Sequence, residues 1–443
     1  MSNTTIAKER TPLHEDWAVV VLGFLIIAIS FFYLVPVPAY SWKDAEGLAD
    51  VLAKANLGAI LVQFLFVFVL GLFGAWLTGK SVTAFVKAFP LIAVLTIVAL
   101  IIAGNSGIKG LGLEAVIFSL SIGLLVSNTI KLPDWFRAAL TAEMFVKIGL
   151  VLLGTSVIFT DILTAGSLGL IQALVVVVSV WYFAFWVCRK FKLDGELTMM
   201  LSSAVSICGV SAAIATAGAI KGDTKKLSYI ISLVLITAIP MMIFMPYIAR
   251  YFHFPEAVTG AWLGGSIDTT GAVVASGTLV GETALKISTI VKFSQNVLLG
   301  LAAFAISLYW TYTNEGKTQD AARQPTLAVI WERFPKFVLG FIAASLLFTF
   351  LSSGGSIIGF SKLHLEFEIP HVISKDALKP ITKNLKSIQL LWFALAFTSI
   401  GLETKFSDLF NAESRKPLYA FLIAQLFNII VTLIIAFILF GNA

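Results

Sequence analysis

SICGVSAAIATAG, residues 206–218, and SIDTTGAVVASG, residues 266–277, decide how the rest of the chain is read. Each lies inside an otherwise apolar run and replaces large aliphatic residues with small, polar and helix-weakening ones; the second adds Asp268. A soluble protein carries about a quarter charged residues. This chain of 443 residues carries 13%, is 58% hydrophobic and has a mean hydropathy of +0.94. A helix needs roughly 20 apolar residues to cross a bilayer. Runs of about that length fall at 17–35, 57–78, 84–103, 111–130, 142–159, 168–188, 197–220, 227–248, 258–279, 287–310, 330–351, 386–401 and 418–440. The fold expected is therefore an all-α polytopic membrane protein, internally repeated and with broken helices. It has about 11 to 13 spans, because the polar ones could be re-entrant.

The first run is too long and too late for a cleaved signal peptide, and no small-residue cleavage site follows it. The stretches outside lipid are short, so residues 1–443 read as one integral membrane domain with a cytoplasmic tail at 1–16 and an extramembrane loop at 352–385. The net charge of +6 and pI near 9.1 fit basic loops that fix orientation better than nucleic-acid binding. Assigning Lys and Arg to alternate loops gives 17 on the side of the N-terminus and 12 on the other. That places the N-terminus in the cytoplasm. Arg250 then falls on the cytoplasmic side, and Lys221, Lys225 and Lys226 fall on the wrong one, unless one of the broken spans does not cross.

Several chemistries are absent from the sequence. Cys188 and Cys208 make no disulfide or metal framework, and His14, His253, His364 and His371 form no ligand pattern. No nucleotide-binding glycine motif opens a helix after a strand. No cofactor is expected beyond a coupled sodium ion or proton.

At an offset of 60, Ser206 and Ile207 match Ser266 and Ile267, Ala212 matches Ala272, and Ala215-Thr216 matches Ala275-Ser276. A second echo pairs GTSVIFTDIL (154–163) with FTSIGLETKFSDLF (397–410). Such echoes point to a duplicated transporter architecture. Counted as full crossings, the first echo spans two helices and makes its repeats parallel.

Small residues also serve close helix packing, which accounts for Gly112, Gly123, Gly149 and Gly154. Packing explains less well why Ser206, Cys208, Gly209 and Ser211 cluster in one span, and Ser266, Asp268, Thr269, Thr270 and Gly271 in another. Breaks in hydrocarbon persist only where the freed backbone meets a cavity or protein partners. Half-helix N-termini there suit anions and free carbonyls suit cations. The substrate-binding candidates are thus Ser206, Cys208, Gly209, Ser211, Thr269 and Thr270, joined by Lys292 and Asn296 from a polar stripe with Ser288 and Gln295. Asp268 and Lys147 are the ion-coupling candidates, since an ionisable residue inside a span usually faces a cavity or partner. Lys147 also admits a snorkelling reading, and Glu114 and Glu143 read as span-boundary residues.

At GLLVSNTIKLPDWF (123–136), FVKIGLVLLGTSVIFTDI (145–162), SICGVSAAIATAGAI (206–220), GAWLGGSIDTTGAVVASG (260–277), ALKISTIVKFSQNVLLG (284–300) and LWFALAFTSIGLETKFSDL (391–409) the chain resembles the YeiH-like family of bacterial inner-membrane proteins, described as sulfate exporters. The resemblance covers about residues 57–440. It implies a fold similar to the bile-acid symporter and sodium/proton antiporter superfamily, with inverted repeats and broken helices crossing near the midplane. The family tends to have an arginine where this chain has Gln295, and often a histidine beside the aspartate. The function expected is secondary transport of a small anion, sulfate-like or organic, across the bacterial inner membrane. The partners are the anion and the bilayer, not nucleic acid, with a homodimer left open. A passive channel would need a continuous polar pore instead of one cluster. An intramembrane enzyme using Cys208 or Ser211 would lack a histidine base within any span.

Overall fold

The computed structural model describes residues 12–110, 115–312, 331–332, 334–352, 375–404 and 415–441. Glu114, residues 1–11 of the tail, 353–374 of the expected loop and 405–410 of the second sequence echo lie outside them. The helices are α1 (Glu15–Phe32), α2 (Ala45–Val51), α3 (Lys54–Leu77), α4 (Val82–Ala103), α5 (Ser106–Gly110), α6 (Ala115–Thr129), α7 (Asp134–Ala139), α8 (Ala142–Leu153), α9 (Phe159–Lys190), α10 (Gly195–Ser206), α11 (Val210–Ile220), α12 (Thr224–Tyr251), α13 (Glu256–Ser266), α14 (Thr270–Val280), α15 (Glu282–Tyr312), α16 (Phe337–Ser352), α17 (Lys375–Glu403) and α18 (Lys416–Phe440). Two expected boundaries shift. α1 already begins at Glu15, and α17 begins at Lys375, inside the stretch expected as loop.

Among the described residues nine stretches are long and apolar enough to cross a membrane. The shorter α6 and α16, of 15 and 16 residues, also run between the two ends of the bundle. Hydrogen bonds fix which ends meet. Leu13 N donates to Leu77 O and Lys336 N to Asp16 Oδ2, which sets the starts of α1 and α16 beside the end of α3. At the opposite end Trp42 N donates to Gly104 O, and Lys386 Nζ reaches Glu282. Exposed apolar side chains such as Leu61, Val69, Leu174 and Ile438 line the outer faces, as contact with lipid requires.

The two polar runs do not cross. In α10 and α11 the chain goes in and comes back: Asp223 N, just after α11, donates to Glu196 Oε2 at the start of α10 (3.2 Å). Lys226 Nζ also reaches Asp194 (2.8 Å) and Glu196 (3.1 Å). Partial burial pushes the Asp194 carboxyl up, but the Lys226 ammonium and the Leu197 amide outweigh it and hold it below its ordinary range. In α13 and α14 the same closure recurs. A Cβ on Gly281, after α14, would meet the Glu256 carboxylate at the start of α13 at 2.9 Å, and Arg250 hydrogen-bonds Leu279 O. The second hairpin also shows its direction against α15. Gly260 and Gly264 lie against Ala284 and Ser288, so α13 runs parallel to α15, whereas Thr270 meets Asn296 and Gly277 meets Leu285, so α14 returns antiparallel.

α10–α11 and α13–α14 are thus re-entrant hairpins, hairpin 1 and hairpin 2, rooted at opposite ends of the bundle with α12 between them. This corrects two expectations. The offset of 60 spans one hairpin and one crossing, not two crossings, so the repeats it marks are inverted. Lys221, Lys225 and Lys226 share an end with Arg189 and Lys190, because hairpin 1 returns to where α9 stopped. Arg250 is at the other end, with the root of hairpin 2.

Candidate functional site at the paired hairpin tips

A helix leaves its last four carbonyls without intrahelical partners, and inside a membrane each unsatisfied group costs several kcal/mol. α10 and α13 both stop in the protein interior, at Ser206 and Ser266. Side chains from the continuous helices α15 and α18 supply the missing donors. The Lys292 ammonium donates to Ile207 O (3.0 Å) and Ile267 O (2.9 Å). The Gln295 amide donates to Ser206 O (3.1 Å) and Gly265 O (3.2 Å). The Asn428 amide donates to Val205 O (3.1 Å) and Ser266 O (3.2 Å), and Gln425 adds a bond to Ser266 O (2.8 Å). Three side chains therefore straddle the junction, each taking one carbonyl from each hairpin.

Local sequence makes this crossing possible. Gly209 has φ +59°, the left-handed region, and a Cβ there would lie 2.6 Å from Val234 and 3.0 Å from the Asp268 Cβ. Hairpin 1 can therefore turn against hairpin 2 only with glycine at this position. In hairpin 2 the Thr269 hydroxyl caps α14 by accepting from Ala272 N (3.3 Å). At Gly264 any side chain would collide with the Ser288 backbone, at 2.5 Å, so α13 can lie close enough to α15 for Lys292 to reach both tips.

All the expected site residues but Lys147 lie at or beside this junction. Gly209 and Cys208 of hairpin 1, and Asp268 and Thr269 of hairpin 2, form the tips themselves; Ser206 is buried and bonds back to Ser202 O (2.8 Å). Thr269 and Thr270 are half-buried, and Ser211 is exposed. Thr270 Oγ1 accepts from Asn296 Nδ2 at 3.4 Å. Among the described residues Lys292 has no ion-pair partner; its bonds go to the two tip carbonyls and Gln295 Oε1, and the residue is 1% exposed. Asp268 is buried at 2% exposure, and its Oδ2 has no hydrogen-bond partner, as is also true of Ser266 Oγ, Asn296 Oδ1 and Gln425 Oε1.

Lys147 stands apart from this junction. Its ammonium lies 2.8 Å from Asp16, 2.9 Å from Glu143 and 3.2 Å from Glu15, and 5.5 Å from the centre of the Phe337 ring. Lys80 shares Glu15 at 2.9 Å. Glu143, expected as a boundary residue, belongs to this cluster. Sequence reading missed Gln425 and Asn428, although the run at 418–440 carries a signal: Gln425, Asn428 and Thr432 recur at i, i+3 and i+7 on one face.

The arrangement can do two things chemically. The C-terminal ends of α10 and α13, partially negative, converge on one ammonium, which neutralises them. The N-terminal end of α11 carries no side-chain cap and adjoins exposed Ser211, while α14 starts at half-buried Thr270; a polar ligand would meet these two ends. Among the described residues no group of His, Cys, Asp and Glu is suited to a transition metal.

The profile of the family described as Conserved hypothetical protein 698 matches residues 87–420, which include both hairpins. A UPF0324 membrane protein of Rhodopirellula baltica is 36% identical over 413 residues, 92% of this chain and 73% of the relative. The chain belongs to the UPF0324 family. A second UPF0324 membrane protein, from Nitratidesulfovibrio vulgaris, is 37% identical over 377 residues, 84% of this chain; the chain spans only 62% of that relative's length. A third, from Nitrosomonas europaea, is 28% identical over 92% of this chain and 91% of its own. No solved structure matches. UPF0324 membership bears out the YeiH-like resemblance, and with the helical bundle it makes this a multi-pass membrane protein.

Proposed function

We propose that this UPF0324 protein is a secondary active transporter for a small anion, sulfate-like or organic, coupled to sodium or proton. The observation that carries the reading is the pair of oppositely rooted hairpins whose half-helix N-termini, at Val210 and Thr270, open onto accessible hydroxyls beside buried Asp268. Such N-termini favour anions, and interrupted helices inside a bundle line transport sites. Asp268 is the ion-coupling group, Lys292 holds the tips and contributes positive potential, and Ser211, Thr269, Thr270 and Asn296 meet the substrate. Lys147 serves in the ion cluster with Glu15, Asp16 and Glu143. The end carrying Arg189, Lys190, Lys221, Lys225 and Lys226 is cytoplasmic by its basic residues, so the N-terminus faces the cytoplasm of a bacterial inner membrane.

The test uses proteoliposomes of the purified protein with a panel of labelled small anions, sulfate first, under imposed sodium or pH gradients. Gradient-driven accumulation of one anion is expected, with Asp268→Asn abolishing accumulation but not folding. Flux that only follows the anion's own gradient, in parent and variant alike, would make the protein a passive facilitator.

A further inference from the structure

The junction leaves one asymmetry. Asn428 is fully satisfied, donating to both hairpins and accepting from Thr432 Oγ1 at 2.9 Å. Gln425, one turn earlier on α18, is not. Its Nε2 donates to Ser266 O (2.8 Å) and lies 3.2 Å from Met241 Sδ, its side chain faces the Asp268 carboxyl two residues further along hairpin 2, and its Oε1 has no partner. Asp268 Oδ2 and Ser266 Oγ are buried without partners too. Burying an acceptor without a donor costs on the order of 1–3 kcal/mol, more when it is charged. Buried oxygens grouped around a carboxylate in this way suit a positive charge.

We propose that Gln425 is the positioning residue for the Asp268 carboxyl, and that with Ser266 it completes the place where the coupled positive charge is carried. This rests on the reading of Asp268 as the ion-coupling group. The amide that holds hairpin 2 through the Ser266 carbonyl also faces the Asp268 carboxyl. A change in what Asp268 carries therefore alters the hold of α18 on the hairpin tip. The charged and titratable groups facing Asp268 are Lys292 on α15 and Cys208 at the tip of hairpin 1. The three N–H donors of Lys292 are engaged with the two tip carbonyls and Gln295 Oε1, so it can bond Asp268 Oδ2 only by releasing one of them.

The experiment needs no substrate. Purified full-length protein is melted in detergent across a series of sodium chloride against choline chloride at constant ionic strength, and across pH at fixed sodium. In the parent, the melting temperature is expected to rise with sodium or to follow a pH profile, since binding to the folded state stabilises it; Asp268→Asn removes that dependence. Gln425→Met, which conserves volume, is expected to move the half-saturating sodium by about tenfold, or to displace the pH profile, the scale of one lost hydrogen bond to a charged group. Ser345→Ala, which loses the buried bond to Val157 O far from the junction, is expected to lower every melting temperature alike and leave the ion dependence in place. If Gln425→Met does not fold, Gln425→Asn keeps a neutral amide but shortens its reach by one methylene and is read the same way. A Gln425 variant that melts lower throughout with the parent's sodium and pH dependence would overturn the proposal, as would a parent with neither dependence. Neither result would touch the flux assay, which decides the transporter reading separately.

Discussion

Lys292 spends its charge on neutral oxygens: two carbonyls, one from each hairpin, and the side chain of Gln295. Replacing it with methionine keeps much of the volume but strands both carbonyls. With about 1–3 kcal/mol per stranded group, Lys292→Met should destabilise the folded protein by roughly 2–5 kcal/mol, read as a large drop in melting temperature in detergent. A nearly unchanged melting temperature would mean the tips are held without it. Lys147 behaves differently. Lys147→Ala leaves Glu15 and Asp16 beside an empty position, and breaking a buried pair from one side costs about 3–5 kcal/mol; Lys147→Arg should recover most of that in the same melt. Composition and span length made Lys292, Asp268 and Lys147 visible in the sequence, because an ionisable residue within an apolar run is conspicuous. Their partners were not visible: Ile207 O and Ile267 O are backbone atoms, and Asp16 is 131 positions from Lys147. Asn428 and Gln425 were legible only as periodicity.

At the scale of the element, the interruptions of both polar runs could be read from clustered Gly, Ser and Thr, and helices do end at Ser206 and Ser266 and resume at Val210 and Thr270. Whether an interrupted helix continues or turns back could not be read, because the same residues serve both. The turn is decided by remote contacts such as Lys226 with Asp194 and Glu196. Gly209 is the residue on which the turn of hairpin 1 depends. Gly209→Ala would place a methyl group against Val234 and the Asp268 Cβ at a positive φ, for about 1–3 kcal/mol of backbone strain before any clash. The expected outcome is a lower melting temperature together with altered sodium or pH dependence, since the methyl group presses on Asp268. An alanine variant matching the parent in both would show that the turn has slack.

For the whole molecule, re-entry makes a topological prediction. In a background with Cys188 and Cys208, both buried, replaced by serine, single cysteines at Lys190 and Asp223 should react with a membrane-impermeant thiol reagent from the same side of sealed, oriented vesicles. A cysteine at Glu256 should react only from the other side. Labelling of 190 and 223 from opposite sides would make hairpin 1 a crossing. The alternate-loop charge count went astray at Arg250 and at Lys221, Lys225 and Lys226 because each hairpin had been counted as one passage through the membrane. The straddled junction also dictates an order of assembly. Val205 O, near the tip of hairpin 1, waits for an amide made 223 residues later, on Asn428. At 5–20 residues per second, that is about ten seconds or more of synthesis. Until α18 arrives, the nascent hairpin must keep its tip in water or against the insertion machinery. A ribosome stalled before residue 416 should therefore leave a chain whose helices are inserted but whose hairpin 1 is open to proteases.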